Sequence, residues 1–506
     1  MSGYYLGIDV GTYETKGVIV TATGDVLTEA RRAHRMQVPQ AGHAEHDAER
    51  DWWGEFADIC AEMIRTGGLE PADVRAVGAS GIGPCMLPVD AAGTPLMNAV
   101  LYGVDTRAAD EIDELTASIG EEALLASGGN ALTSQSVGPK ILWLRRNRPD
   151  VFERAACFLN STSFLVRRLT GETVIDHYSA AGFNPLYDIA RMDWTDTYDT
   201  LICGRDRLAR LAWTTDVVGG VTAEAARRTG LAEGTPVIAG TIDAASEAVS
   251  VGVRRPGQMM LMYGSTVFGI EVTAERVQDP RLWYAPWLFA GQHASMSGLA
   301  TSGTLTHWFV QNFARELDPR EAMGLLAHEA AASPPGARGL IVLPYFSGER
   351  TPLHDPHAKG MIFGLDLTHG RGDVYRGLIE GIAYGVRHIL ETYDDAGARP
   401  ETLTAVGGGT RNPVWLQAVS DITGRSQSLR HRSFGASYGN AFLAAVGVGD
   451  ADAADMDRWN PVAREIRPDA ALSTLYDAAS GTYRQLYART RDLMRAGEST
   501  SGARRA

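Results

Sequence analysis

The pattern that most constrains this chain occurs twice. "YYLGIDVGTYETKGVIVTATGDVL" at 4–27 and "GQMMLMYGSTVFGIEV" at 257–272 each read as an apolar strand, a turn of glycine and hydroxyl residues, and a second apolar strand. In the first, Leu6, Ile8 and Val10 lead to Gly11 and Thr12, and Val18 opens the return strand; in the second the turn is Gly264–Thr266. A hairpin repeated at this separation predicts two related halves whose turns can grip one polyphosphate from opposite sides.

The first hairpin carries a charge inside its apolar run, Asp9. From the residues alone two readings stand. The carboxylate is a turn aspartate that hydrogen-bonds its own loop, or it holds a hydrated Mg²⁺ while Gly11 lets backbone N–H groups approach phosphate oxygens.

A chain of 506 residues predicts two large domains. The net charge is −14 and the lysines are three, Lys16, Lys140 and Lys359. That balance excludes the clustered positive footprint a nucleic-acid backbone requires. The start "MSGYYLGIDV" has no basic segment leading an apolar stretch, and no apolar run reaches membrane-spanning length, which predicts a cytoplasmic protein with no membrane partner. Cys60, Cys85, Cys157 and Cys203 are widely spaced with no C-x-x-C pair, so buried free thiols are expected.

Helix and strand then alternate. "ERDWWGEFADICAEMIR" has helical apolar spacing, "VRAVGAS" reads as a buried strand, and "KILWLRRNRPDVFERA" as an amphipathic helix broken at Pro149. "TPVIAGTIDAASEAVSVG" gives a strand, a loop carrying Asp243 and a helix. An α/β fold follows, divided near residue 248 into 1–248 and 249–493, with 494–506 as a polar, mobile tail. P-loop and dinucleotide G-x-G-x-x-G patterns are absent, and "GAS" at 78–80 continues as Gly81-Ile82, which does not make the G-x-S-x-G elbow of a serine hydrolase. Asp243 alone is either a helix cap or an acid–base group. His43 and His46 read as solvated rather than as a metal pair, Trp53 as core rather than a sugar platform, and "RRNR" at 145–148 as a solvated helix face.

In order along the chain, "GIDVGTYETKGVIV", "GPKILWLRRNRPDVF", "GTIDAASEA", "MYGSTVFGI", "GLIVLPYFSGERTPLHDPHAKGMIFGLDLTHGRGDVYRGLIEGIAYGVRHIL", "VGGGTRNPVWLQAVSDITGR" and "GASYGNAFLAAVG" resemble the FGGY carbohydrate kinases, from about Tyr4 to Gly449. The resemblance implies two ribonuclease H-like, actin-like domains with ATP and a sugar bound in the cleft between them. It also implies Mg²⁺ held by Asp9, a first phosphate loop at Gly11 and Thr12, and a second at Gly264, Ser265 and Thr266. Gly303 and His307 would lie near the nucleotide, Gly408, Gly409 and Asn412 at the adenosine, and Asp243 would be the base. A homodimer is left open.

The expected sugar wall departs from xylulose-kinase relatives. Their Gln-Met-His segment is replaced by Ile82-Gly83-Pro84, and their W-x-D-x-R pattern keeps Asp105 and Arg107 but has Gly103 for the tryptophan. Sugar contacts are therefore expected from Gly83, Pro84, Asp105, Gln135 and Asp243. The substrate is expected to be a pentulose such as D-xylulose, with ribulose, erythritol, glycerol or a deoxy sugar as alternatives. A non-catalytic sugar- or nucleotide-binding protein on the same fold is the rival from another class.

Overall fold

The computed structural model describes the backbone of residues 3–502 and the side chains of 3–496. Among these residues the two main sheets have seven strands each, the first counting the short Thr241–Ile242, which lies parallel to the end of Val74–Gly81. The first takes β1 (Tyr4–Val10), β2 (Glu14–Thr21) and β3 (Val26–Ala33) as an antiparallel meander. Next comes the helix α1 (Glu55–Gly67), and β4 (Val74–Gly81) returns parallel to β1. Then β6 (Pro236–Ile238) lies parallel to β4, with β5 (Val217–Gly220) antiparallel at the edge. The helix α2 (Asp243–Ser250) closes this half.

The second sheet repeats the plan. β7 (Gln258–Tyr263) and β8 (Val267–Thr273) form the repeated hairpin, followed by β9 (Trp283–Pro286) and β10 (His293–Leu299), with β10 pairing antiparallel to β8. After α3 (Gly303–Phe313) and the long α4 (Arg371–Asp395), β11 (Thr402–Val406) lies parallel to β7 and β12 (Gln427–Arg430) parallel to β11. Past α5 (Ala436–Gly447), β13 (Val462–Ile466) runs antiparallel to β12, and α6 (Ser473–Gly502) ends the described chain. The order β3-β2-β1-β4-β6-β5 thus corresponds to β10-β8-β7-β11-β12-β13, with β9 added outside. The duplicated hairpin belongs to a duplicated sheet.

Each sheet is covered on both faces, which is why β1 is buried at Tyr5 and Leu6 alike. On one face, Ile59 and Met63 of α1 press against Gly17 of β2. On the other lies α5, and here the packing departs from the order of the chain. A division near 248 separates the strands of the two sheets, yet α5 leaves the second half and lies on β1 and β4. Its backbone comes so close that a Cβ on Gly7 would stand 2.0 Å from the Ser437 carbonyl, and one on Gly439 2.0 Å from the Ser246 carbonyl.

Other expectations are refined. The segment from Glu49 opens as a wide helical turn, Ala48–Gly54, capped by Asp47, before α1 begins. The helix broken at Pro149 is a pair, Val137–Asn147 and Pro149–Arg154. The four cysteines are free. At the expected tail, 494–506, Met494 packs against the core of the second half and α6 continues to Gly502, while 503–506 lie outside the described residues. No helix is long and apolar enough to cross a membrane among the described residues.

One core residue makes the packing testable. Glu271 on β8 is 2% exposed, its Oε2 has no hydrogen-bond partner, and burial pushes its carboxyl up to about 9. A raised folded value means stability is lost as pH climbs, because the unfolded chain ionises freely from about 4.5 while the folded carboxyl resists. Glu271→Gln should raise the urea midpoint at pH 8 by more than at pH 5; equal midpoint changes at both would contradict this.

Candidate active site

The candidate residues sit at strand ends and helix starts of both sheets. Asp9 is the penultimate residue of β1, and the turn after it closes through Gly11 N–H to the Glu14 carbonyl at 3.0 Å. Behind the turn, His34 bridges the Gly11 carbonyl (3.0 Å) and Glu55 (2.8 Å), and Glu55 also accepts from Thr15 Oγ1 at 2.6 Å. Burial opposes charge on His34, but the Glu55 carboxylate outweighs it and raises the imidazole above its ordinary value. The Gly11–Thr12 turn is therefore braced from beneath by a histidine the sequence reading passed over.

The second loop is sewn to α3. Ser302 and Thr304 donate backbone N–H bonds to the Ser265 carbonyl, and Gly303 N–H donates to Gly264 at 3.0 Å. Gly303 thus packs on this loop, where a Cβ would meet the Gly264 carbonyl at 2.5 Å, and His307 stands exposed one turn further along α3. Because β7 and β11 are neighbours, the loop after Tyr263 and the glycines after Val406 lie side by side. Gly408 and Gly409 form a short helical turn there, and the Asn412 side-chain oxygen caps the next helix by accepting from Val414 and Trp415 N–H. Asn412 orders this loop more than it offers a free group.

Asp243 opens α2, with Oδ1 accepting the Ala244 N–H at 2.7 Å. Burial, then repulsion from Asp9, holds its carboxyl well above the usual range. Asp9 itself is pushed up to about 6 by burial, and Glu247, one turn beyond Asp243, to about 7 by burial and then by Asp9. Lys16 lies near enough to favour ionised Asp9, but its ammonium pairs with Glu14 at 3.1 Å. The cleft floor is thus a carboxylate cluster with too little positive charge. Among the described residues no three acids, histidines or cysteines form a metal cage, so the donor set suits an ion that takes one or two carboxylates and completes its shell with water and phosphate.

The sugar wall is brought together in part. Gly83 packs on Ile242, the residue before Asp243, and Pro84 packs on Gly182. Gln135 lies over Gly103, where a Cβ would meet its Cγ at 3.0 Å, so the amide side chain fills part of the space a larger residue would take. Asp105 is a correction. It is 1% exposed, its Oδ2 accepts from Ala44 N–H at 2.6 Å, and both oxygens face Arg107. Arg107 also pairs with Glu45 and lies over Trp143. Both oxygens of this carboxylate are thus spent on the protein's own backbone and guanidinium.

Sequence reasoning missed Tyr102 and Lys140, which lie beside the first turn. The Tyr102 hydroxyl meets Thr12 Oγ1 at 3.1 Å and lies in the field of Asp243. Its backbone is held by Lys140, whose buried ammonium donates to the Leu101 and Tyr102 carbonyls at 2.6 and 3.2 Å and is lowered by burial to about 8. His46 is not solvated: it is buried, accepts from Trp52 Nε1 at 3.1 Å, and burial lowers it to about 4. Trp52 and Trp53 are both core residues. Arg146 of "RRNR" pairs with Glu114.

Comparison with known proteins agrees with this geometry. Residues 4–250 match the N-terminal domain of the FGGY family of carbohydrate kinases, and 260–448 match its C-terminal domain. The xylulose kinase of Escherichia coli is 29% identical over 497 residues, covering 97% of this chain and 100% of that protein. The xylulose kinase of Bacillus subtilis is 28% identical over 495 residues, 97% of this chain and 98% of that one. The crystal structure of xylulose kinase from Rhodospirillum rubrum superposes with a TM-score of 0.91 at 32% identity, covering 97% of this chain and all of that one.

The buried Asp105–Arg107 pair gives a prediction. Removing one partner strands the other's charge, so Asp105→Ala should cost about 3 kcal/mol of stability, read from urea denaturation. An unchanged midpoint with a raised sugar KM would restore Asp105 to the pocket.

Proposed function

The chain belongs to the FGGY family of carbohydrate kinases and is an ATP-dependent sugar kinase, and on that premise we propose that it transfers the terminal phosphoryl group of ATP to a hydroxyl of a pentulose, D-xylulose first, with Asp243 as the base. The observation that carries this reading is Asp243 itself, half-buried at the start of α2 and facing Asp9 across the cleft floor. A module that only binds sugar needs no such acid beside a phosphate-loop carboxylate.

Each residue then has a task. Gly11–Thr12 and Gly264–Thr266 supply N–H and hydroxyl donors to the phosphates from opposite sheets. Gly408 and Gly409 border the nucleoside, with His307 on the facing helix. Asp9 holds Mg²⁺, which when bound offsets the negative charge of the phosphates. Asp243 accepts the proton of the sugar hydroxyl as its oxygen turns toward phosphorus. A carboxylate raised by burial and by a like charge is a stronger proton acceptor once ionised. Closure of the two halves would exclude water that competes as phosphoryl acceptor.

The domains 1–248 on the sugar side and 249–493 on the nucleotide side, a cytoplasmic location and a homodimer belong to the same reading, the last to be checked by light scattering. Among substrates, the wall of Ile82, Gly83, Pro84 and Gly103 favours a second reading, in which another ketose or polyol is accepted as well as D-xylulose, because Gln135 and Tyr102 leave fewer fixed polar partners to reject it.

A coupled ADP-release assay over ketoses, aldoses and polyols tests the reading. Turnover should be found with a pentulose, and Asp243→Asn should lower kcat by about 10²-fold or more while retaining nucleotide binding. Near-normal turnover by that variant would remove Asp243 from the base role.

A further inference from the structure

The two carboxylates of the cleft sit on different elements, and a buried chain of hydrogen bonds joins those elements. Ser246, three residues after Asp243 on α2, donates through Oγ to Asn440 Oδ1 at 2.5 Å. Asn440, on α5, donates through Nδ2 to the Ile8 carbonyl at 2.8 Å and to Ser80 Oγ at 2.7 Å. Ser80, on β4, donates in turn to Asp9 Oδ1 at 2.7 Å. Ser80, Ser246 and Asn440 are all 0% exposed.

The direction of this chain is fixed by one group. The Ile8 carbonyl can only accept, so the amide nitrogen of Asn440 must face it, and the amide oxygen must face Ser246. Ser80 Oγ then accepts from the amide, which leaves its single proton for Asp9. Oδ1 of Asp9 is thereby held, and Oδ2 is left for the cleft. A satisfied polar network at this depth permits one arrangement of its members, since any other leaves a donor or acceptor stranded.

We propose that Asn440, with Ser80 and Ser246, positions Asp9 relative to the helix carrying Asp243, and so sets the geometry in which the metal–nucleotide and the base meet. This rests on the kinase reading above. Neither Ser80 nor Asn440 touches substrate in this account; both act through Asp9, as positioning residues. A purely structural role would give the same burial, so the test must read something packing alone does not move.

The full chain is compared with Ser80→Ala, Ser246→Ala and, as a control, Ser250→Ala. Ser250 is a buried α2 serine whose hydroxyl donates instead to the Glu247 carbonyl at 2.6 Å. Mn²⁺ affinity in the presence of ADP is read by electron paramagnetic resonance, alongside kcat, sugar KM and melting temperature. Ser80→Ala should weaken Mn²⁺ binding and lower kcat by about tenfold each, as expected for loss of a hydrogen bond to a charged group, with sugar KM within about twofold. Ser246→Ala should shift both in the same direction by about threefold, and Ser250→Ala should shift neither. Wild-type Mn²⁺ affinity and kcat in both chain variants would overturn the proposal, as would losses in all three that follow melting temperature. A wild-type protein that binds Mn²⁺ and ADP but turns over no sugar would overturn the kinase reading instead, and the Mn²⁺ comparison would still decide the positioning role.

Discussion

The close contact of α5 with the first sheet is the constraint on which the cleft depends. Two mixed sheets of the same topology could be strung together without sharing any residue. Here a helix from the second half lies against β1, β4 and α2 at backbone contact distance, at positions where only a hydrogen can stand in place of a side chain. That seam fixes the strand end bearing Asp9 against the helix bearing Asp243. Cavity-free contact of this kind is stiff, because a shift of even one methyl group would be felt.

Across that seam the protein gathers negative charge it does not neutralise. Asp9, Asp243 and Glu247 repel one another, and the lysine nearest Asp9 is paired with Glu14. Such an arrangement is costly in the empty protein and becomes favourable when cationic charge arrives with the nucleotide. The two also differ in environment: Asp9 is tethered by Ser80, whereas Asp243 accepts from the N–H of its neighbour Ala244. Differences of this sort let two like groups take up different chemistry at one pH.

Much of this is legible from local patterns, and the limits are physical. The two hairpins announce themselves because strand alternation and turn residues are local signals, and both are found where the sequence places them. The pairing of β4 with β1, or of β11 with β7, involves residues far apart in the chain and leaves no local trace. Asp105 was misread because a cleft position and a buried ion pair look alike in sequence. Its Arg two residues on was the available clue, since that spacing lets the guanidinium fold back onto its own aspartate. His46 looked solvated beside acids, yet it faces inward against Trp52. Asn440 was unmarked, although a lone amide within "YGNAFLAAVG" is the sort of polar group that a buried helix keeps only when it has partners.

The central claim is that the carboxylate end of β1 and the paired glycine loops form one metal–nucleotide site between the duplicated halves. Anomalous scattering from a crystal of the full chain grown with Mn²⁺ and ADP tests it most directly. The account predicts Mn²⁺ density beside Asp9, between Gly11–Thr12 and Gly264–Thr266, with the nucleotide running toward Gly408. Density at another carboxylate cluster, or nucleotide bound away from both loops, would contradict it.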